Sequence, residues 1–140
     1  NKKNKKLINI IKKFNLKDEV ILLGPQKNID KVMNLIDIHI SASEYGEAFP
    51  NVVAEAMASG TPCVATNVGD SSLIVGKTGW IVRPSNSKEL AINIEKAIKK
   101  SHSKNWKYFC LSARNRIVNK FSLKKMINNY NKIWHQILLN

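Results

Sequence analysis

Between Ile38 and Gly69 the chain changes its hydrophobic period twice, and that change restricts the fold. Asp37 to Ser41 is a short apolar-rich run. Asn51 to Ala58 repeats apolar residues at helical spacing, and Pro62 to Thr66 is a second apolar run behind Gly60 and Thr61. Two strands joined through a helix lie parallel in one sheet, because a parallel pair needs a long crossover. Ligands of such sheets sit at the carboxyl ends of the strands, so the chemistry is expected at residues 41–55 and 66–71.

The crossover helix has two faces. Val52 with Ala56, and Val53 with Met57, pair at i,i+4 as an apolar stripe, whereas Asn51 and Glu55 share the same spacing on another side. Glu55 is therefore available to a ligand, although the same pair would also suit a solvated face. Pro50 fits the helix start, where its missing N–H is no loss. The next N–H groups, at Asn51 and Val52, have no partner inside the helix and offer a seat for a phosphate.

Glu47-Ala48-Phe49-Pro50-Asn51-Val52-Val53-Ala54-Glu55-Ala56-Met57-Ala58, then Gly60-Thr61-Pro62 and Thr66-Asn67-Val68-Gly69-Asp70, resembles the signature of the retaining glycosyltransferases of family 4. That family has the two-lobed GT-B fold. The two glutamates stand eight positions apart, as in its paired-glutamate motif, and the looser resemblance extends over nearly the whole chain. It implies an α/β domain, a Rossmann-like parallel sheet flanked by helices, forming the carboxyl-terminal, donor-binding lobe. It further implies that Glu47 holds hydroxyls of the donor sugar as the catalytic-site carboxylate. Backbone N–H groups from Ala48 to Val52, past Phe49 and Pro50, approach sugar and phosphate. Glu55 takes the ribose hydroxyls, and the turn at Gly24 and Pro25 lies against the base, although the same residues equally suit a plain tight turn. Pro50 departs from the family's frequent glycine and cannot donate, which shifts phosphate contacts to Asn51 and Val52.

The rest of the sequence reads as one domain over residues 1–140. Leu7, Ile10, Ile11 and Phe14 predict a helix over 3–14 with one buried side. Glu19 to Leu23 reads as a central strand covered on both faces. Asn28 is placed to cap a helix with Ile29, Val32, Met33 and Ile36 inward. Asn67 to Ser72 forms a polar turn into a short helix at Leu73 to Val75, a second helix start that faces the donor. Trp80 to Val82 reads as an edge strand. Asn86 with Glu89 predicts a capped helix with Leu90, Ile94, Ala97 and Ile98 inward. Further helices carry Trp106, Phe109, Cys110, Ala113 and Ile117, and then, over about 122–138, a wide stripe from Leu123 to Leu138. By the resemblance that last helix crosses toward the amino-terminal, acceptor-binding lobe. That lobe and the donor lobe's first strand, with its diphosphate-binding Arg and Lys, are not in the sequence, so the chain is expected to bind donor but not to turn over alone.

Composition is that of an ordinary globular domain, 44% hydrophobic and 24% charged. No apolar run reaches bilayer-spanning length and the start shows no signal-peptide pattern, which points to a cytoplasmic protein. Cys63 and Cys110 read as core residues rather than a disulfide. His39, His102 and His135 are isolated, and no metal-ligand spacing occurs, so no metal or cofactor is expected. The net charge of +13 comes mostly from lysines at 2–13 and 96–107 and at Lys120, Lys124, Lys125 and Lys132. Such a surface reads first as a plain solvated one and also suits peripheral contact with an anionic membrane. Nucleic acid is not expected, since no basic stripe interleaved with aromatics and no known module is present.

The function implied by the resemblance is transfer of a sugar from a UDP- or GDP-sugar to a glycan or glycolipid acceptor with the anomeric configuration kept, as in bacterial polysaccharide assembly. Preoriented N–H donors and cations meet the charge on a departing nucleoside diphosphate without a metal. Two other readings stand beside it: a nucleotide-sugar epimerase of the same architecture, and a non-catalytic binding module with a basic face.

Overall fold

The computed structural model describes residues 4–139. Among these, three short parallel strands, β1 (His39–Ser41), β2 (Cys63–Thr66) and β3 (Trp80–Val82), form one sheet in the order β1-β2-β3. His39 pairs with Cys63, and Val64 with Trp80. The helices are α1 (Lys5–Lys13), α2 (Ile29–Leu35), α3 (Asn51–Ala58), α4 (Ser71–Val75), α5 (Ser87–Ser101), α6 (Trp106–Lys120) and α7 (Leu123–Leu138). Helix α3 is the β1-to-β2 crossover and α4 the β2-to-β3 crossover, as parallel pairing requires.

Alternation along β2 sends its side chains into two cores. Cys63 and Ala65 pack with Met33, Val53, Ala56, Met57, Ile74, Val75, Ala113 and Ile117, so α2, α3, α4 and α6 cover one face. Val64 packs with Val82, Ala97, Leu90 and Ile94, so α5 covers the other. All four β2 residues are buried; Cys63, Val64 and Ala65 are small to medium apolar residues, and the buried Thr66 hydroxyl is hydrogen-bonded. Burial pushes the Cys63 thiol up to about 12, leaving an unreactive core group.

Helix caps follow the sequence where side chains can reach. Asn86 Oδ1 accepts from the Glu89 N–H at 3.0 Å, forming the expected cap, and its Nδ2 donates to the Glu89 carboxylate at 3.1 Å, a side-chain version of the reciprocal bond. Asn4 caps α1 and Ser122 caps α7. Asn28 stands at the start of α2 but makes no side-chain cap; its backbone carbonyl accepts from Lys31 instead.

Several expectations are corrected. Glu19 to Leu23 is not a strand. The segment has no ladder partner, and Ile21 is 81% and Leu23 57% exposed. An apolar run becomes a central strand only when paired on both edges, and β1, at the edge of the described sheet, does not hydrogen-bond to it. In α1, Ile11 is buried, but Ile10 and Phe14 are exposed because the described residues put no second layer over that stripe. Position 3 of that helix lies outside the described residues. In α5, Ile98 points outward, a position past the core-facing stripe of Leu90, Ile94 and Ala97. Helix α7 has no buried residue at all; Trp134 is 60% exposed.

Candidate functional site

The carboxyl ends of β1 and β2 lead into two loops that touch. Thr66, the last residue of β2, donates its hydroxyl to Ser43 O at 2.7 Å, which ties the β1 exit loop to the sheet. Asp70 N–H donates to Ala48 O at 2.7 Å, which ties the same loop to the start of α4. Between these anchors, Ser43 Oγ donates to the Glu47 carboxylate at 2.9 Å. Glu47 is half-buried, and its carboxylate is thereby held at one position with acceptor capacity left over.

Gly69 makes the loop contact feasible. Its φ is +54°, and a Cβ there would stand 2.5 Å from Glu47 O and closer still to Ala48 O. Only a residue without a side chain lets the two loops meet at this distance.

Helix α3 then begins at the loop's far end. Buried Pro50 is its N-cap, with φ −70°, and accepts from Val53 N–H at 3.0 Å. The first N–H groups, at Asn51 and Val52, have no acceptor within the helix and open toward solvent. Asn51 and Glu55 are both exposed on α3 while Val53, Ala56 and Met57 are buried, so Glu55 stands on the ligand-accessible side as its spacing requires. Val52, assigned to the inward stripe, is instead partly exposed. The far end of α3 is fixed by Arg114, which donates to Ala58 O.

The structure therefore places Glu47, Ala48, Phe49, Asn51, Val52 and Glu55 along one accessible stretch after the carboxyl end of β1, whereas Pro50 is buried and contributes only to starting α3. Gly24 and Pro25 stand apart from that cluster in the hydrogen-bond pattern. Gly24 has φ +71°, and the turn is closed locally by Gln26 Nε2 donating to Leu23 O at 2.9 Å. At the start of α4, Asp70 N–H is used by Ala48 O and Ser71 N–H by Val68 O, so these two groups are spent inside the protein.

Two cavities open at this end. One, of about 690 Å³, lies between α3 and α7 and is lined by Phe49, Asn51, Lys120, Phe121, Leu123, Met126, Asn129 and Tyr130. Phe49 and Phe121, both in its lining, pack at 5.8 Å between ring centroids. The other, of about 300 Å³, is lined by Ala42, Glu44, Thr66, Ser85, Asn86, Ser87 and Leu90. Sequence reasoning singled out neither the Ser43 and Thr66 clamps nor Lys120. The clamps join loops through tertiary contacts that no local spacing encodes; the Val68-Gly69 pair was the one local signal.

Such a site offers a fixed carboxylate in the loop, a second carboxylate about one turn into α3, and free N–H groups between them. That combination suits a ligand with adjacent hydroxyls at two places and an anionic group in the middle.

The family model described as "Glycosyl transferases group 1" matches residues 1–114. N-acetyl-alpha-D-glucosaminyl L-malate synthase of Bacillus anthracis is 26% identical over 134 residues, 94% of this chain and 34% of that protein. A glycosyltransferase structure from Rickettsia africae superposes with a TM-score of 0.87 at 28% identity, covering 96% of this chain and 36% of the other. Anabaena HepE, solved in complex with UDP, gives a TM-score of 0.85 at 25% identity, covering 94% and 36% respectively. The chain thus spans about a third of the length of each of these proteins, and its parallel α/β layering matches GT-B glycosyltransferase structures.

Proposed function

The chain belongs to the glycosyl transferases group 1 family, and from that we propose that it binds a nucleotide-sugar donor for transfer of the sugar, with retention of anomeric configuration, to a glycan or lipid-linked glycan acceptor. The observation that carries this reading is the clamped Glu47 beside the open start of α3, with Glu55 exposed on the same helix. Glu47 accepts hydrogen bonds from the donor sugar's hydroxyls, and charge-assisted bonds of this kind are about twice as strong as neutral ones. Asn51 and Val52 N–H groups meet the diphosphate, and their partial positive charge gains value as negative charge develops on the leaving group. Glu55 accepts from the two ribose hydroxyls. Lys120, lining the groove beside Asn51, adds a mobile cation at the phosphate end. The Gly24-Pro25 turn is assigned to the base.

A UDP-sugar is the donor to try first, since HepE has been solved with UDP and with UDP-glucose. Residues 1–140 form the carboxyl-terminal, donor-binding lobe in this reading, and the exposed apolar stripe of α7 is the contact for the acceptor-binding lobe. The family membership favours transfer over the epimerase and over the non-catalytic module. Calorimetric titration of UDP-glucose and GDP-mannose into the chain, with Glu47→Ala and Glu55→Ala variants, tests the assignment. Binding of one donor that drops at least about tenfold in each variant supports it, by the loss of a charged bond pair. Binding indifferent to both glutamates overturns it.

A further inference from the structure

From Lys96 to its last residue the sequence holds Lys or Arg at eleven positions and neither Asp nor Glu; Glu95 is the final acid in the chain. A lysine-rich composition alone does not account for this, because the first 95 residues carry acids and bases in nearly equal number. The densest part is the corner where α5 ends and α6 begins. Lys96 and Lys99 leave the outer side of α5, Lys104 lies in the turn, and Lys107 lies in the first turn of α6, all four exposed. Lys100 is drawn back over the Phe109 ring at 5.7 Å. Among the described residues Arg83 and Glu89 form an ion pair at 2.7 Å, and none of the corner lysines stands in one.

Apolar side chains stand beside the charges. Tyr108, Leu111 and Val118 recur along the outward side of α6, opposite Ala113 and Ile117, and Tyr108 is 72% exposed. The corner is fixed in place: Trp80, the first residue of β3, packs on Phe109 at 5.3 Å, and Trp106 stacks on Phe109 at 5.9 Å. That contact sets the patch under the amino-terminal ends of the strands, at the opposite end of the sheet from Glu47.

We propose that this α5–α6 corner is a docking surface for an anionic lipid bilayer, with the lysines against headgroups and Tyr108 and Leu111 in the interfacial layer. Uncompensated lysines are attracted to a negatively charged leaflet. A tyrosine ring beside them places its apolar body in the acyl boundary and its hydroxyl in water. The exposed apolar residues favour lipid over nucleic acid, whose phosphate backbone rewards charge but gives a leucine or valine nothing to contact. Docking here acts as a tether and leaves the donor site open, because the two lie at opposite ends of the sheet.

The test is flotation of the chain with vesicles of phosphatidylcholine containing about a third phosphatidylglycerol, against pure phosphatidylcholine vesicles, at low and high salt. A triple variant, Lys99→Glu with Lys104→Glu and Lys107→Glu, and a separate Tyr108→Ser variant are run in parallel after circular dichroism confirms folding. A variant of α7, Lys124→Glu with Lys125→Glu and Lys132→Glu, serves as the comparison. The expected result is binding to the anionic vesicles alone, weakened about a hundredfold or more by the corner triple and severalfold by Tyr108→Ser, and much less by the α7 triple. Binding to neutral vesicles at equal strength, no binding to anionic ones, or loss confined to the α7 triple overturns the proposal. So does salt-sensitive binding to a DNA duplex under conditions where vesicles are ignored.

Discussion

Replacing Gly69 by alanine tests the loop contact on which the site rests. Its φ of +54° is a conformation that costs an L-residue about 1–2 kcal/mol. The added methyl would lie 2.5 Å from Glu47 O, where real Cβ contacts essentially never fall under 3.0 Å, so the Glu47–Ala48 backbone must retreat. Retreat breaks the 2.7 Å bond from Asp70 N–H to Ala48 O, worth about 1 kcal/mol net. The sum is roughly 2–3 kcal/mol. Gly60 provides the reference, because its φ of +86° imposes the same kind of strain while nothing lies within 4 Å of its Cβ direction. Gly60→Ala should therefore cost only the conformational part, about 1–2 kcal/mol, and less than Gly69→Ala. Urea unfolding with a common slope reads the difference as a shift in midpoint. Equal midpoints for the two variants would refute the argument that close approach, rather than backbone conformation alone, selects glycine at position 69.

Three shorter predictions follow from other contacts. Ser43→Ala removes the 2.9 Å bond to Glu47, and donor affinity measured by calorimetry should fall about three- to tenfold with the unfolding midpoint nearly unchanged; unchanged affinity would sink the positioning role. Arg116 donates to Ile74 O at 2.7 Å and Leu73 O at 2.6 Å, closing the end of α4, so Arg116→Ala should cost about 1–3 kcal/mol in urea, and Arg116→Lys, lacking the fork, should recover less than half of it. Burial lowers the His39 imidazole below its ordinary value of 6.5. The unfolded chain then binds the proton more readily than the folded one, so stability should fall as pH drops below about 6.5, by at most about 1.4 kcal/mol per unit, and His39→Val should flatten that slope in urea midpoints taken between pH 7 and pH 5.

How far the chain could be read in advance depended on whether a pattern carried its own partner. Asn86 and Glu89 are three residues apart and complete each other, so their cap was legible. The spacing of Asn51 and Glu55 against Val53 and Met57 fixed which side of α3 stays open, and the structure keeps it open. Glu19 to Leu23 was misjudged because an apolar pattern states that a surface is suited to cover, and says nothing of which element supplies it. The hydroxyls of Ser43 and Thr66 were missed because their acceptors are chosen by how the β1 exit loop folds back, a relation between residues 43 and 66 that no helical or strand period contains.

Helix α3 joins two strands that are hydrogen-bonded to each other, and this has a kinetic consequence. Its residues cannot open outward as a flap, because releasing Val53, Ala56 and Met57 from the core pulls on both ends of the β1–β2 ladder. The amides of Ala56 and Met57 should accordingly exchange with solvent deuterium only through unfolding of the whole sheet, whereas those of α7, with no buried side chain, should exchange within the dead time of a manual experiment. The glutamate-bearing helix is thus among the last parts of the molecule to loosen, and a ligand bound there would slow exchange across the sheet as well as at its own contacts.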